Sequence, residues 1–214
     1  MGRKLQFWLA NGGERVHSLS VVSTIVSRDR GKTWLTGEII YGKDGLENPN
    51  ETCAVQLDDG TILLNIRHTG KPHYRAISVS PDGLRGFSTP VFDFELPDPI
   101  CYGGIAKSNK LSQNYIVFSN CATRPCRENY YSLARRKLTL RLSLDNCKIW
   151  KYSRLLEECS GYSDVAFSKD NKWIYCFYEH DVEDENYKGP KYLTFARVNL
   201  EWISDGEILD TSAK

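Results

Sequence analysis

The sequence predicts an all-β fold built from repeated antiparallel sheets, and three observations carry that prediction. The chain is rich in aromatic residues, with 5 Trp, 12 Tyr and 8 Phe against a single Met, and these aromatic types favour strands over helices. Short β-type runs alternate with turn clusters along its 214 residues, with almost no amphipathic pattern of helix length. A turn of the form S-x-D-x-G-x-T-W also recurs in the chain.

Taken in order, residues 20–27 form the first apolar, β-branched run, and residues 27–34 are the full turn motif: Ser27, Asp29, Gly31, Thr33 and Trp34. Residues 53–57 and 61–65 are two apolar runs joined by Asp58-Asp59-Gly60, a strong hairpin signal. Ser80-Pro81-Asp82-Gly83, with Phe87 at the Trp position, is a weaker copy of the motif. Further runs at residues 114–119 and 173–178 flank a third copy, in which Ser143, Asp145 and Trp150 keep their places.

The copies begin at Ser27, Ser80 and Ser143, 53 and 63 residues apart. That spacing fits units of one four-stranded propeller blade, typically ~40–50 residues plus insertions. The motif has a local mechanism: Asp accepts N–H bonds from its own turn, Gly permits positive φ, and the Trp ring is expected to pack into the hairpin beneath. At this spacing the chain holds about four blades, with the first ~25 residues a partial unit.

Composition excludes other classes. Charged residues make up 26% and hydrophobic ones 41%, which is globular rather than disordered chemistry. With 28 Lys+Arg against 27 Asp+Glu, the net charge of +1 provides no strong global field for nucleic acid or a membrane surface. No stretch approaches the ~20 consecutive apolar residues of a spanning helix, and the apolar run before Asn11-Gly12-Gly13 is too short for a signal peptide. Seven cysteines, an odd number, read as scattered structural residues, some of them open to bridging; Cys121 and Cys126 lack the CxxC spacing or nearby His of a zinc set. The acidic run from His180 to Asn186 lacks an ordered ligand loop and reads as solvated.

The repeat and its surroundings resemble the sialidase (neuraminidase) family, whose catalytic domain is a six-bladed propeller with Asp boxes. Asn48-Pro49-Asn50-Glu51, followed sixteen residues on by Arg67, is similar to the segment with the catalytic Glu and one arginine of the carboxylate-binding triad. Gly161-Tyr162-Ser163-Asp164 resembles the segment with the catalytic tyrosine, and residues 135–143, leading into an Asp box, the one with another triad arginine. Residues 175–179 and 193–202 are similar to the closing strands. The likeness runs in consistent order from about residue 20 to residue 206 and places the chain, as one propeller domain over residues 1–214, in the C-terminal part of such a domain.

What the resemblance implies has a chemical rationale. A sialic acid bears a carboxylate on its anomeric carbon, so the carboxylate nucleophile of most retaining glycosidases would meet like-charge repulsion. A neutral tyrosine avoids it. A phenol with its ordinary pKa near ~10 needs a base to take its proton, and a Glu within reach can serve. Tyr162 is thus expected as nucleophile and Glu51 as its base, with a covalent glycosyl-tyrosine intermediate and retention. Arg67 and Arg135 are expected to hold the substrate carboxylate by charge-assisted pairs, and Glu179 to orient the family's third arginine; no metal or other cofactor is implied. Arg136 competes with Arg135, while Arg141, alternating with apolar neighbours, reads as solvent-facing. The sequon Asn50-Glu51-Thr52 reads as unused, because a glycan there would block the site.

The family's acid/base Asp and first triad arginine find no match before Glu51, where Asp44 and Arg15 are only formal candidates and Asp29 is committed to its turn. Since acid assistance is worth roughly 10²–10⁴-fold, the chain alone is expected to be weakly active or inactive and prone to self-association through exposed blade edges. The expected partners are sialylated glycoproteins, glycolipids or oligosaccharides. The competing expectation is a non-catalytic carbohydrate-binding or scaffold propeller. The compartment is not legible, though a longer parent would suit secretion or the lysosome.

Overall fold

A computed structural model describes residues 4–9, 20–109, 113–124, 135–181 and 190–208. The chain divides into two compact units, Met1–Ile100 and Cys101–Lys214. The first unit holds a three-stranded sheet of β1 (Lys4–Leu9), β2 (Val21–Val26) and β3 (Leu35–Thr36). It also holds a four-stranded meander of β4 (Asn50–Gln56), β5 (Ile62–Arg67), β6 (Tyr74–Ser80) and β7 (Val91–Pro97). All pairings are antiparallel. β5 is buried at all six positions, so it reads as an apolar run rather than an alternation. Its Ile62, Leu64 and Ile66 join Val22, Ile40 and Ala76 in the core of this unit.

The second unit holds β8 (Gly104–Lys107), β9 (Ile116–Cys121), β10 (Arg136–Ser143), β11 (Tyr152–Phe167), β12 (Ile174–Asp181), β13 (Pro190–Val198) and the short α1 (Leu200–Ile203). Its six strands pair in chain order. The 16-residue β11 serves two neighbours, β10 through residues 152–159 and β12 through residues 160–167. The sheet is therefore two blades sharing one strand, and the described strands make four blades, two of four strands and two of three. Val117, Leu138, Leu140, Leu142, Ile174 and Cys176 form the core of this unit. The fold is all-β, as the sequence predicts.

The three turn motifs occupy equivalent places, joining β2 to β3, β6 to β7 and β10 to β11. In the first, Asp29 Oδ1 accepts the Thr33 N–H at 2.8 Å and Oδ2 the Thr33 hydroxyl at 2.7 Å, while Ser27 Oγ accepts the Gly31 N–H. Asp82 accepts from the N–H groups of Leu84 and Arg85, and Asp145 from that of Ile149. Hydrogen bonds from Thr33 hold the Asp29 pKa down at about 2. The third copy lacks the glycine, and Cys147 takes its place at φ 65°, where Gly31 has φ 88°.

The Trp ring behaves differently in the first and third copies. Trp150 is 7% exposed and packs on Phe118 with centroids 5.8 Å apart, as the expectation requires. Trp34 is 41% exposed, because β3 is only two residues long and gives it little sheet to cover.

Arg141 corrects the sequence reading. It is buried, and its Nη1 donates to Asn120 Oδ1 at 2.7 Å. The last four residues of β10 are buried on both faces, so alternation there does not mark a solvent side; Asn120 supplies the acceptor that the buried cation needs. No disulfide joins Cys53, Cys101, Cys121, Cys147, Cys159 and Cys176 to one another among the described residues; Cys126, residues 182–186 of the acidic run and Arg15 lie outside them. No group of three His, Cys, Asp or Glu suited to a metal, and no helix long and apolar enough to cross a membrane, occurs among the described residues.

Candidate active site

Glu51 lies in a β-bulge. Asn50 pairs with Arg67 and Cys53 with Asn65, so Glu51 and Thr52 together oppose Ile66 alone. Such a two-for-one insertion bends a strand and re-aims its side chains. Arg67, at the end of β5, places Nη1 3.2 Å from Glu51 Oε2, and both side chains are largely buried. The same Nη1 donates to Asn50 Oδ1 at 2.6 Å, and Nη2 donates to the Ile100 carbonyl at 3.1 Å. Ile100 holds that carbonyl in place from φ 60°, a conformation that β-branched residues rarely adopt. The buried Arg67 Nε–H has no hydrogen-bond partner among the described residues.

Asn50 is fully buried, and its amide nitrogen donates to the Asn48 carbonyl. Both ends of this amide are engaged, which agrees with reading the sequon as unused. The turn over residues 42–48, with Ser20 and Val21, walls an open depression of about 450 Å³ beside this segment.

In the second unit, Tyr162 lies in a bulge of the same kind. Ser160 pairs with His180 and Ser163 with Tyr178, so Gly161 and Tyr162 together oppose Glu179. This break falls where β11 passes from one blade to the next. The Tyr162 N–H donates to Glu179 Oε2 at 2.8 Å. Arg135, just before β10, lies over the Tyr162 ring with Cζ 5.1 Å from its centroid, within cation–π range. Tyr102 packs on the same ring, centroids 5.8 Å apart. Burial alone would lower the Arg135 pKa, but Cys101, Tyr162, Cys121 and the Glu179 carboxylate raise it, so the guanidinium stays charged.

The structure thus brings Glu51 together with Arg67, and Tyr162 with Arg135 and Glu179. Between the two competing arginines, Arg135 is the one against the Tyr162 ring, while Arg136 pairs with Cys159 in the sheet. Sequence reasoning missed Asn50, Ile100 and Tyr102. Asn50 was legible only as a sequon, and Tyr102 carried no motif. The glycine before Tyr162 was the one available signal for a bulge.

These features define a class first: a propeller-type protein with Asp boxes, in which a Glu and a Tyr on bulged strands each stand beside an arginine. Over residues 6–176 the chain matches the BNR repeat-like domain, and it belongs to that family and to the sialidases within it. It is 28% identical over 206 residues to the sialidase of Micromonospora viridifaciens, an alignment covering 92% of this chain and 28% of that protein. It is 29% identical over 167 residues to the exo-alpha-sialidase of Aspergillus fumigatus, covering 73% of this chain and 38% of that one. Among solved structures, the NanB sialidase from Streptococcus pneumoniae superposes with a TM-score of 0.71 at 17% identity, over 94% of this chain and 30% of that chain. The intramolecular trans-sialidase from Ruminococcus gnavus gives 0.64 at 18%, over 86% and 39%. These two likenesses bear on the fold. The chain spans 28% to 38% of the length of the two sequence relatives.

Proposed function

We propose that the chain contributes the nucleophile, its base and two carboxylate-binding arginines to the propeller domain of a retaining exo-α-sialidase. Tyr162 Oη attacks the anomeric carbon while Glu51 takes the phenol proton. The bond to the aglycone oxygen breaks with its electron pair, and that oxygen is protonated by an acid other than Glu51, Arg67, Arg135, Tyr162 and Glu179. In the second half-reaction a water oxygen attacks the same carbon and loses its proton to that external acid/base group. The phenolate leaves and recovers its proton from Glu51, giving the sugar with retained configuration.

The observation that carries this reading is the matched placement of Glu51 and Tyr162. Each sits in a two-for-one bulge on the first strand of its blade segment, and each has a guanidinium beside it. Bulges gather next to active sites because they turn a side chain out of the ladder. Arg67 already serves Asn50, Glu51 and Ile100. Its Nε–H supports a share in the carboxylate clamp, since buried donors are seldom left without an acceptor.

A fluorogenic sialoside tests the reading. The chain is expected to release the fluorophore slowly, since no acid/base Asp is assigned among its described residues, and Tyr162→Phe and Glu51→Gln are expected to cut the rate by at least about 100-fold. Sialoside binding with no turnover, unchanged in Tyr162→Phe, would establish the binding-module alternative instead.

A further inference from the structure

We infer that Glu179 is a positioning residue whose carboxylate clamps the bulge that aims Tyr162, an inference that rests on the reading of Tyr162 as nucleophile. Three observations within the second unit converge on it. The register of β11 and β12 slips by one residue at this point, leaving Gly161 and Tyr162 opposite Glu179. An extra residue in a ladder leaves an N–H without its strand partner, and the Tyr162 N–H is taken by Glu179 Oε2 at 2.8 Å. Position 161 must also leave room for that carboxylate: a Cβ there would overlap Glu179 Oε2 and lie 3.2 and 3.3 Å from its Cβ and Cδ.

The same carboxylate acts on the cation above the tyrosine ring. Its charge is one of those that raise the Arg135 pKa, and Arg135 lies 5.1 Å over that ring. One side chain thus holds the backbone of the nucleophile and acts electrostatically on the guanidinium that covers its ring. A hydrogen bond to an ionised acceptor is stronger than a neutral one, so Glu179 suits the task better than a polar neutral residue. Gly161 follows from the same geometry, because its missing side chain is the space the carboxylate occupies.

Amide hydrogen exchange of the intact chain, read at Tyr162 and referenced to Val165 on the same strand, tests the clamp without requiring turnover. Glu179→Ala is expected to lower protection of the Tyr162 amide by about 10-fold or more, whereas Glu179→Gln, which keeps an acceptor oxygen, retains most of it. A sialosyl fluoride with a second fluorine beside the anomeric carbon supplies the kinetic readout, as labelling of the chain. Glu179→Ala should slow the limiting labelling rate by about 10- to 100-fold with little change in the half-saturating concentration, and Gln should restore most of the rate.

Unchanged Tyr162 protection in Glu179→Ala overturns the clamp, whatever the kinetics. Should Glu179→Ala fail to fold, Gly161→Ala takes its place, and full protection at Tyr162 in that variant overturns the clamp equally. Lost protection together with labelling that persists in Tyr162→Phe keeps the clamp and overturns the nucleophile instead.

Discussion

Arg67 Nη1 stands 3.2 Å from Glu51 Oε2 inside the first unit, and neither side chain has more than about an eighth of its surface in water. A pair this buried must be judged by what each partner leaves behind, because an orphaned charge costs far more than a surface bridge contributes.

Arg67→Ala is therefore expected to destabilise the chain by about 3 kcal/mol or more, by stranding Glu51 and freeing the Asn50 and Ile100 oxygens. Glu51→Gln keeps an acceptor for Arg67 but removes its counter-charge, so it should cost less than Arg67→Ala, about 1–3 kcal/mol, while cutting turnover by at least about 100-fold. Urea denaturation read beside sialoside hydrolysis separates the two effects.

Cys147 stands at φ 65° where the first motif has glycine. A left-handed conformation costs an L-residue about 1–2 kcal/mol, partly offset by the chain entropy that glycine loses. Cys147→Gly is expected to raise the melting temperature by a few degrees, and Gly31→Ala to lower it. A fall for Cys147→Gly would show that the thiol makes contacts outweighing the strain.

Trp150 is enclosed and Trp34 is not. Replacement of Trp150 by Ala should cost about 3–5 kcal/mol, and of Trp34 under about 1 kcal/mol. Equal losses in chemical denaturation would contradict this division of the repeat.

Two sets of groups give acid sensitivity in different windows. Burial lowers the His68 pKa below its ordinary 6.5, opposed by the hydrogen bond to the Tyr74 carbonyl. Its Nδ1 accepts the Gly70 N–H, so folding favours the neutral ring. That stability is whole above pH 6.5 and falls as the pH drops below it. Asp29, held at about 2 against 3.8, contributes above pH 3.8 and loses its contribution as the pH falls toward 2. His68→Gln should flatten the upper part of the stability profile, and Asp29→Asn the lower part.

The repeat was legible because its chemistry is local. Ser27 and Asp29 bond within their own turn, so residue order alone exposes them. The 16-residue β11 was not, since its two halves differ only in partner, and partners are set by tertiary pairing. Arg141 was misread for a related reason: alternation reports a solvent face only where one exists, and the second half of β10 is covered on both sides. Glu51, Arg67, Tyr162 and Arg135 were picked out by their order within a resemblance. The bulges that hold two of them, and the strained Ile100 that anchors Arg67, depend on register across strands, which no single segment encodes.

The most direct test of the account is the site of covalent labelling by a sialosyl fluoride with a second fluorine beside the anomeric carbon. Fluoride leaves with little acid assistance, so the trap does not depend on a general acid. Peptide mass spectrometry is predicted to find one sugar on Tyr162, absent in Tyr162→Phe and formed far more slowly in Glu51→Gln. A sugar carried on any other residue, or labelling indifferent to Glu51, would contradict the assignment.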